Sequence, residues 1–394
     1  MTSTNRITLN KKLINFERRY DIDWLRIIAV FLVFIYHCSR FFDEFEWHIK
    51  NDEVDLGVTF FFTFLGGIGM PLFFIISGMA TFYFLGFANA GLYIKARFIR
   101  LMIPFLFAIF TQIPIQVYLD RVSHSEFTGS FFEFYPQYFN GLYGYGGNFP
   151  WAGFHLWFLI LLFLFSLVTV NLFVFLRKDK NLEKISKVAP FFKKPGSLYL
   201  LIIPALLLQL LNPLSILGEF GGYNLFSLLV FYIIGFMIAS DKYFKESIEN
   251  HWHIALIVGI ISILILPVVI LFLDNFFLYW ILGLTYVWSF IIVILGSASK
   301  HLNFNHKSRK FLNDIVMPFY VVHQTIIVII GFYVVQTDLM ILLKYLIICG
   351  ISFAIIIALV MIIRQVNILR FLFGMSLKKK PLSNKVSKDK LGEG

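Results

Sequence analysis

The sequence predicts an all-α protein, a polytopic membrane helix bundle with about ten transmembrane helices. Of its 394 residues, 59% are hydrophobic and only 14% are charged, whereas soluble globular domains carry about 25% charged residues. Many apolar runs approach or exceed the roughly 20 residues that a helix needs to cross a bilayer. The loops between these runs also alternate in charge, which is typical of a chain that crosses a membrane many times.

Ten apolar runs are the predicted spans. The first lies behind a polar N-terminal segment and has no small-residue cleavage site, so it predicts a retained span and not a signal peptide. The second is interrupted by Gly66-Gly67, Gly69 and Pro71, and we expect it to tilt, to kink or to begin as a re-entrant segment. In chain order the runs are 22–42, 57–87, 98–119, 154–176, 197–217, 223–240, 254–273, 276–298, 314–336 and 340–363.

The distribution of cationic residues predicts the orientation of the chain. One set of loops and tails holds 30 of the 34 Lys and Arg residues, and the positive-inside rule places that set in the cytoplasm. The opposite face keeps only Arg40, Lys50, Arg121 and Lys344, and its first loop, 43–55, has six acidic residues against one lysine. We therefore expect a multi-pass protein of the plasma (inner) membrane with both termini in the cytoplasm.

The same pattern divides the chain into three parts. Residues 1–21 form a cytoplasmic N-terminal tail, 22–363 a membrane domain of ten spans, and 364–394 a basic cytoplasmic tail. We expect the basic tail to be disordered and held by anionic lipids. The net charge of +11 would suggest a nucleic-acid partner in a soluble protein, but its distribution indicates membrane lipids and no nucleic acid.

Sequence motifs for disulfide frameworks, metal binding, nucleotide binding and serine hydrolysis are not found in this sequence. The two cysteines, Cys38 and Cys349, form no disulfide framework and no metal-ligand spacing. A phosphate-binding glycine loop, a His-Glu-x-x-His pair and a Gly-x-Ser-x-Gly elbow are also missing from the sequence. We expect no metal and no bound cofactor, and if the protein is an enzyme, the nucleophile is the hydroxyl of an acceptor substrate.

The first span carries the sharpest candidate site. Arg26 and His37 are eleven residues apart, which is three helical turns plus about 20° and about 16.5 Å of rise, so both lie on one face with Val30 and Val33. Ionisable groups at membrane depth usually face a bundle interior or a wet cavity. His37 suits a general base near neutral pH. The alternatives are a buried polar histidine and an arginine that snorkels to the interface or pairs with Asp23.

Arg97 and Arg100 form a second candidate group at the inner membrane boundary. Their i,i+3 spacing places both guanidinium groups on one helical face. Planar, bidentate arginine suits phosphate, so a phosphorylated donor such as a coenzyme A thioester fits. Ordinary anchoring to lipid headgroups is the alternative.

Further polar and aromatic groups lie toward the outer face. His155 opens the fourth span and is a second polar group for an acceptor, or a histidine of the interfacial belt. His323 lies inside the ninth span. A histidine at this depth is less expected to be a surface residue without a role. The long outer loop, 120–153, is rich in aromatic residues and glycines and includes Tyr145, and Trp157 follows it. These rings suit stacking against sugars, or an aromatic belt at the membrane interface.

Five motifs occur in order along the chain: Asp23-Trp24-Leu25-Arg26 with ten residues before His37, Phe73 to Gly78, Arg97 to Pro104, His155-Leu156-Trp157-Phe158 and Tyr320 to His323. Together they resemble the acyltransferase 3 family of integral membrane proteins. The fourth motif, in its His-Leu-Trp-Phe form, resembles the glucans biosynthesis protein C type subgroup, which is linked to succinylation of periplasmic glucans. The segment Phe-Trp-Ser-Leu-Ser-Val-Glu and the extracellular hydrolase-like domain of other members are not found in this sequence.

The resemblance implies a membrane O-acyltransferase. It would move an acetyl or succinyl group from cytoplasmic acyl-CoA, a co-substrate, to a hydroxyl of an extracytoplasmic glycan or lipid-linked sugar. His37, Arg26 and His155 would be catalytic. Arg97, Arg100 and Ser77 would bind the donor, and His323, Trp157 and Tyr145 the acceptor. Arg40, Lys50 or Arg121 could meet a succinyl carboxylate, but no spacing decides this.

A different class remains open at this point. A multi-span transporter could use Arg26, His37 and His323 as a proton or substrate pathway. The two halves of the sequence show no repeat, which argues against the inverted-repeat transporters.

Overall fold

A computed structural model of the chain describes residues 18–210, 219–220, 223–273 and 275–378. These residues are almost entirely helical, with one two-stranded antiparallel hairpin, β1 (Glu219–Phe220) and β2 (Tyr223–Asn224). The predicted all-α membrane bundle is confirmed. The helices in chain order are α1 Tyr20–Ser39, α2 Leu56–Phe84, α3 Ala90–Arg97, α4 Ile103–Thr111, α5 Ile113–Ser123, α6 Phe131–Phe134, α7 Trp157–Leu176, α8 Asp179–Val188, α9 Ile203–Leu210, α10 Leu225–Ser240, α11 Lys242–Val268, α12 Phe276–His301, α13 Lys307–Val334, α14 Ile341–Ile363 and α15 Asn367–Leu372.

Eight of the ten predicted spans are long and apolar enough to cross a membrane within the described part of the chain. The fifth and sixth correspond to two shorter apolar helices, Ser197–Leu210 and Leu225–Ser240. The predicted fifth span continues to residue 217, and 211–217 lies outside the described residues. Both short helices pack against longer neighbours, and α10 packs along α2.

The third span begins earlier than predicted and is not a regular helix. It starts at α3, where Asn89 Oδ1 accepts a hydrogen bond of 2.9 Å from Leu92 N and caps the first turn. A π-helical segment, Phe98–Met102, joins α3 to α4. Single π turns inside helices widen the backbone and are frequent at functional sites. This one contains Arg100.

Two glycines let α2 and α10 approach closely. A Cβ atom added at Gly78 would collide with the backbone oxygen of Tyr232, and one added at Gly235 would collide with that of Ile75. Small residues at such crossings allow close backbone contact, which stabilises helix pairs in membranes through van der Waals packing. The second span, which the sequence predicts to tilt, kink or begin as a re-entrant segment, is one continuous helix with Pro71 inside it.

Helix α1 lies between α2 and α13. Its outer half packs through aromatic rings, with the centroids of Phe34 and Phe319 5.7 Å apart and those of Phe31 and Phe353 5.3 Å apart. These contacts hold one side of α1 against α13 and α14. The side that carries Arg26 and His37 is left facing the interior.

The loop after α1 is held by a buried ion cluster. Asp43 accepts a hydrogen bond of 2.5 Å from Arg40 and a second one of 3.1 Å from Lys50. His48 is buried beside this cluster. Burial, together with the positive charges of Arg40 and His124, lowers the pKa of His48 to about 3. His48 is therefore neutral at physiological pH.

The first part of the C-terminal tail is ordered, contrary to the expected disorder. Arg364 and Arg370 each contact Asp314 of α13 at 3.2 Å. The ring centroids of Phe373 and Phe107 lie 5.3 Å apart. These contacts dock α15 beneath α4, and residues 379–394 lie outside the described part of the chain.

Candidate active site

One cavity of about 610 Å³ runs through the bundle and has chemically different ends. Its volume lies in the range of about 300–1,000 Å³ that is usual for ligand pockets. The long middle part is apolar, with walls from α1, α2, α7 and α13. At the inner end it is lined by Arg26, Arg97, Arg100, Asn313, Asp314 and Ser376, and at the outer end by Tyr36, His37, His155, Trp157, Tyr223 and Tyr320.

The predicted face of α1 forms one wall of this cavity. Arg26, Val30, Val33 and His37 all line it. Because α1 is continuous from Tyr20 to Ser39, the Cα atoms of Arg26 and His37 are about 16.5 Å apart along the helix axis. The cavity therefore connects an arginine-lined end to a histidine-lined end.

A network of buried hydroxyl groups orients Arg97. Its Nε donates to the Tyr93 hydroxyl at 3.0 Å, and one Nη donates to Thr81 Oγ1 at 2.8 Å. The Tyr93 hydroxyl in turn donates to Ser166 Oγ at 3.0 Å and lies 2.7 Å from the Tyr232 hydroxyl. These partners are neutral, so they position the guanidinium without cancelling its charge.

Arg26 and Arg100 have no hydrogen bond or ion pair within the described residues. The expected pairing of Arg26 with Asp23 does not form, because Asp23 accepts a hydrogen bond from Arg309 instead. Asp314 is the one acidic side chain lining the described cavity, and two arginines of the C-terminal segment already neutralise it. The inner end thus carries uncompensated positive charge, which suits a multiply charged phosphate ligand.

Three histidines meet at the outer end. The ring centroids of His37 and His323 are 5.0 Å apart, those of His155 and His323 4.9 Å, and those of His37 and His155 6.2 Å. His323 Nε2 lies 3.1 Å from His37 Nδ1. No group of three His, Cys, Asp or Glu residues that could hold a metal ion occurs among the described residues.

Backbone carbonyl groups determine the tautomers of two of these rings. His323 Nδ1 lies 2.6 Å from Tyr320 O, and His37 Nδ1 lies 2.9 Å from Val33 O. A carbonyl oxygen only accepts, so in the neutral rings both Nδ1 atoms carry the hydrogen and both Nε2 atoms carry a lone pair. His323 Nε2 then also accepts from the His37 Nδ1–H. The lone pair of His37 Nε2 is left without a hydrogen bond from any described residue.

His155 has the opposite tautomer. Its Nε2 lies 3.3 Å from Val321 O, so the hydrogen is on Nε2. Its Nδ1 is a buried acceptor without a hydrogen-bond partner in the described structure. The Tyr320 hydroxyl donates to the backbone oxygen of His155 and holds the start of α7 against α13.

Aromatic rings complete the outer end. Trp157 and Tyr223 have ring centroids 6.0 Å apart, and the Tyr223 hydroxyl donates to Gly66 O. Tyr36 lines the cavity from α1. The outer end therefore combines flat apolar rings with polar imidazoles, as ligand pockets commonly do.

The structure brings together most of the predicted site residues, and their roles stay predictions. His323 is fully buried and reaches His37 without lining the cavity. Tyr145 is 88% exposed on the outer loop and does not line the cavity either. The predicted residues that do line it are Arg26, His37, Ser77, Arg97, Arg100, His155 and Trp157.

Sequence reasoning missed the residues that support these groups. Tyr93 precedes Arg97 by one helical turn, and that i,i+4 spacing was a usable signal. Tyr232 and Ser166 reach the same network from distant parts of the chain. Asn313 and Ser376, at the inner end, carry no motif, so only the tertiary structure reveals them.

Comparisons with known proteins identify the family of this chain. A family described as an acyltransferase domain matches residues 19–361. The chain therefore belongs to the acyltransferase 3 family of membrane proteins, and the predicted acyltransferase class is confirmed at this level.

Curated relatives share part of the chain. Glucans biosynthesis protein C of Escherichia coli O6:K15:H31 (strain 536 / UPEC) is 28% identical over 172 residues, which is 43% of this chain and 42% of that protein. Glucans biosynthesis protein C of Shigella dysenteriae serotype 1 (strain Sd197) is 27% identical over 173 residues, with the same coverage of 43% and 42%. The matched region spans less than half the length of these relatives. No solved structure matches the chain.

Proposed function

We propose that this protein is an O-acyltransferase that moves an acyl group from cytoplasmic acyl-CoA to a hydroxyl of an extracytoplasmic glycan or lipid-linked sugar. The observation that carries the proposal is the cavity with arginines at its inner end and the free lone pair of His37 Nε2 at its outer end. In this proposal the two substrates enter from opposite sides of the membrane and meet beside His37.

The donor would bind with its phosphates at the inner end. Arg97 is held in place by its hydroxyl partners, while Arg26 and Arg100 supply guanidinium groups that no described carboxylate engages. Ser77 lies beside them, and its backbone oxygen accepts from Arg97 at 3.4 Å. The apolar middle of the cavity would hold the extended pantetheine arm, which places the thioester near His37.

Transfer would then follow general-base chemistry. His37 Nε2 takes the proton of the acceptor hydroxyl, and the hydroxyl oxygen attacks the thioester carbonyl carbon. The carbon–sulfur bond breaks, and the coenzyme A thiolate takes the proton from the His37 imidazolium. The acceptor leaves as an ester and the donor as free coenzyme A, so atoms and charge balance. General-base assistance contributes about 10²–10⁴ in rate.

His155 and the aromatic rings would position the acceptor. His155 would contact the acceptor, because its ring lines the outer end of the cavity. Trp157 and Tyr223 would stack against the sugar ring. We also propose that the protein lies in the plasma (inner) membrane with both termini in the cytoplasm, because its cationic loops and tails are on that side.

The test uses the purified full chain in liposomes with radiolabelled acetyl-CoA or succinyl-CoA. We expect free coenzyme A and labelled acceptor glycan from the wild type, and a loss of at least ~100-fold with His37→Ala. His253→Ala, at an exposed histidine outside the cavity, is the matched control and should leave the rate unchanged.

The donor site is tested in the same assay. Arg97→Ala with Arg100→Ala should raise the KM for the donor and leave the KM for the acceptor unchanged, because only the donor carries phosphate. Lys95→Ala, on the same helix but outside the cavity, should change neither. Movement of labelled donor across the bilayer without release of coenzyme A would contradict acyl transfer and favour a transporter.

A further inference from the structure

The acyl group itself would lie at the outer end of the cavity, and this inference rests on the proposed function. His37 Nε2 must be close to the hydroxyl that attacks the thioester carbonyl, so the acyl chain extends among the side chains around His37. The two candidate acyl groups, acetyl and succinyl, differ in charge. Succinyl adds a carboxylate only three bonds away from the thioester carbonyl.

No charged side chain lines the outer end within the described residues. The groups around His37 are phenols, an indole and a second imidazole. The charged lining residues of the described cavity are Arg26, Arg97, Arg100 and Asp314, all at the inner end. Arg26 is about 16.5 Å of helix away from His37, which is beyond the reach of a succinyl carboxylate.

The outer-face cations that could approach from the loops are engaged elsewhere. Arg40 pairs with Asp43 at 2.5 Å, and its guanidinium lies 4.2 Å from the centroid of the Phe62 ring. Lys50 contacts the same aspartate at 3.1 Å. None of these side chains lines the cavity.

The remaining two outer cations are also occupied. Arg121 pairs with Glu126 at 2.5 Å, and Lys344 donates to Asn51 Oδ1 at 2.6 Å. Neither lines the cavity. The chain segments 211–218, 221–222 and 274 contain no Lys or Arg, so they add no cation to this end.

The histidines do not replace a missing cation. A protonated His37 could pair with a carboxylate, but it would then lack the lone pair that the base role requires. The neutral His155 ring directs its Nε2–H to Val321 O, and its Nδ1 is a buried acceptor, so it offers no hydrogen to a carboxylate. An ionised carboxylate buried without a partner is strongly disfavoured.

We propose that the acyl group transferred by this protein is short and uncharged, as in acetyl, and that the uncharged histidine end of the cavity excludes dicarboxylic acyl groups such as succinyl.

The test compares four donors with the purified full chain in liposomes and one acceptor glycan. Acetyl-CoA is the expected donor, and succinyl-CoA carries the extra charge. Butyryl-CoA and succinamoyl-CoA match the length of succinyl without its charge. The readout is the release of coenzyme A, as kcat/KM for each donor.

We expect acetyl-CoA to be used, and kcat/KM for succinyl-CoA to be at least ~10-fold below that for its neutral amide, which is the factor that ~1.4 kcal/mol produces. If the neutral longer donors are also rejected, the acyl group is still uncharged, and size contributes to the exclusion. Use of succinyl-CoA as well as or better than succinamoyl-CoA would overturn the inference. Failure of all four donors would instead reject the proposed acyl-CoA transferase function.

Discussion

His323 differs from the other predicted site residues because it contacts a side chain and not the cavity. Its Nδ1–H is held by Tyr320 O at 2.6 Å, so its Nε2 lone pair faces His37 Nδ1 at 3.1 Å. His323 resembles the third member of a catalytic triad in function, since it accepts from the same Nδ1–H that Val33 O holds and so helps to orient the base. Here the orienting group is neutral. We therefore assign His323 a positioning role and not a contact with the acceptor.

We predict that His323→Leu, which has a similar volume but no acceptor, lowers kcat about 10- to 100-fold, which is part of the general-base contribution. The KM for the donor should stay the same, because we propose that the donor phosphates bind at the other end of the cavity. His323→Gln should recover much of the activity, since its amide oxygen can accept from His37 Nδ1–H. Equal losses in the Leu and Gln variants, measured by release of coenzyme A, would contradict this role.

At the scale of elements, the contact between α2 and α10 supports the arginine-lined end of the cavity. Gly78 and Gly235 allow these backbones to touch, and this places Tyr232 of α10 beside Thr81 of α2, with their hydroxyl oxygens 2.8 Å apart. Tyr232 then reaches Tyr93, which orients Arg97. The glycine in the second-span motif therefore acts at a distance from the ligand, through the packing of two helices.

We predict that Gly78→Ala lowers the stability of the protein by about 1–3 kcal/mol, the usual cost of overpacking a tight contact. The measurement is the thermal unfolding midpoint of the purified protein in detergent. Gly350→Ala is the matched control, because its added Cβ meets nothing within 4 Å and alanine favours a helix. A midpoint for Gly78→Ala equal to that of the control would contradict the close contact.

At the scale of the whole molecule, the proposed transfer requires the two ends of the cavity to face different compartments. The arginine-lined end lies near the cationic loops and the docked C-terminal segment, whereas the histidine-lined end lies near the acidic first loop. This polarity agrees with the positive-inside rule. A phosphorylated cytoplasmic donor would therefore meet arginines on its own side of the membrane.

We predict that a membrane-impermeant maleimide labels Tyr145→Cys in intact cells, in a background with both native cysteines changed to serine. Lys180→Cys should be labelled only after permeabilisation, because it lies in a loop on the predicted cytoplasmic side. Both positions are exposed. The cysteine-free background is the control, and the reverse labelling pattern would contradict the orientation.

The sequence by itself determined the membrane class, most of the spans and the position of Arg26 and His37 on one face of the first span. These features depend on composition and on the fixed period of a single helix, which neighbouring helices do not change. Arg97 and Arg100 belong to the same category, since both lie on one continuous segment. The limits of the third span could not be predicted in the same way, because the Asn89 cap and the π turn at Phe98–Met102 are local departures from a regular apolar run.

Only the tertiary structure decided which groups meet across helices. It paired Asp23 with Arg309 and left Arg26 free, and it placed His323 behind His37. Cationic side chains of the outer face also pair with other protein groups outside the cavity, as Arg40 does with Asp43. These outcomes depend on distances between residues far apart in the chain. Periodicity within one helix contains no information about its neighbours, so the charges that remain available to a substrate are decided by packing.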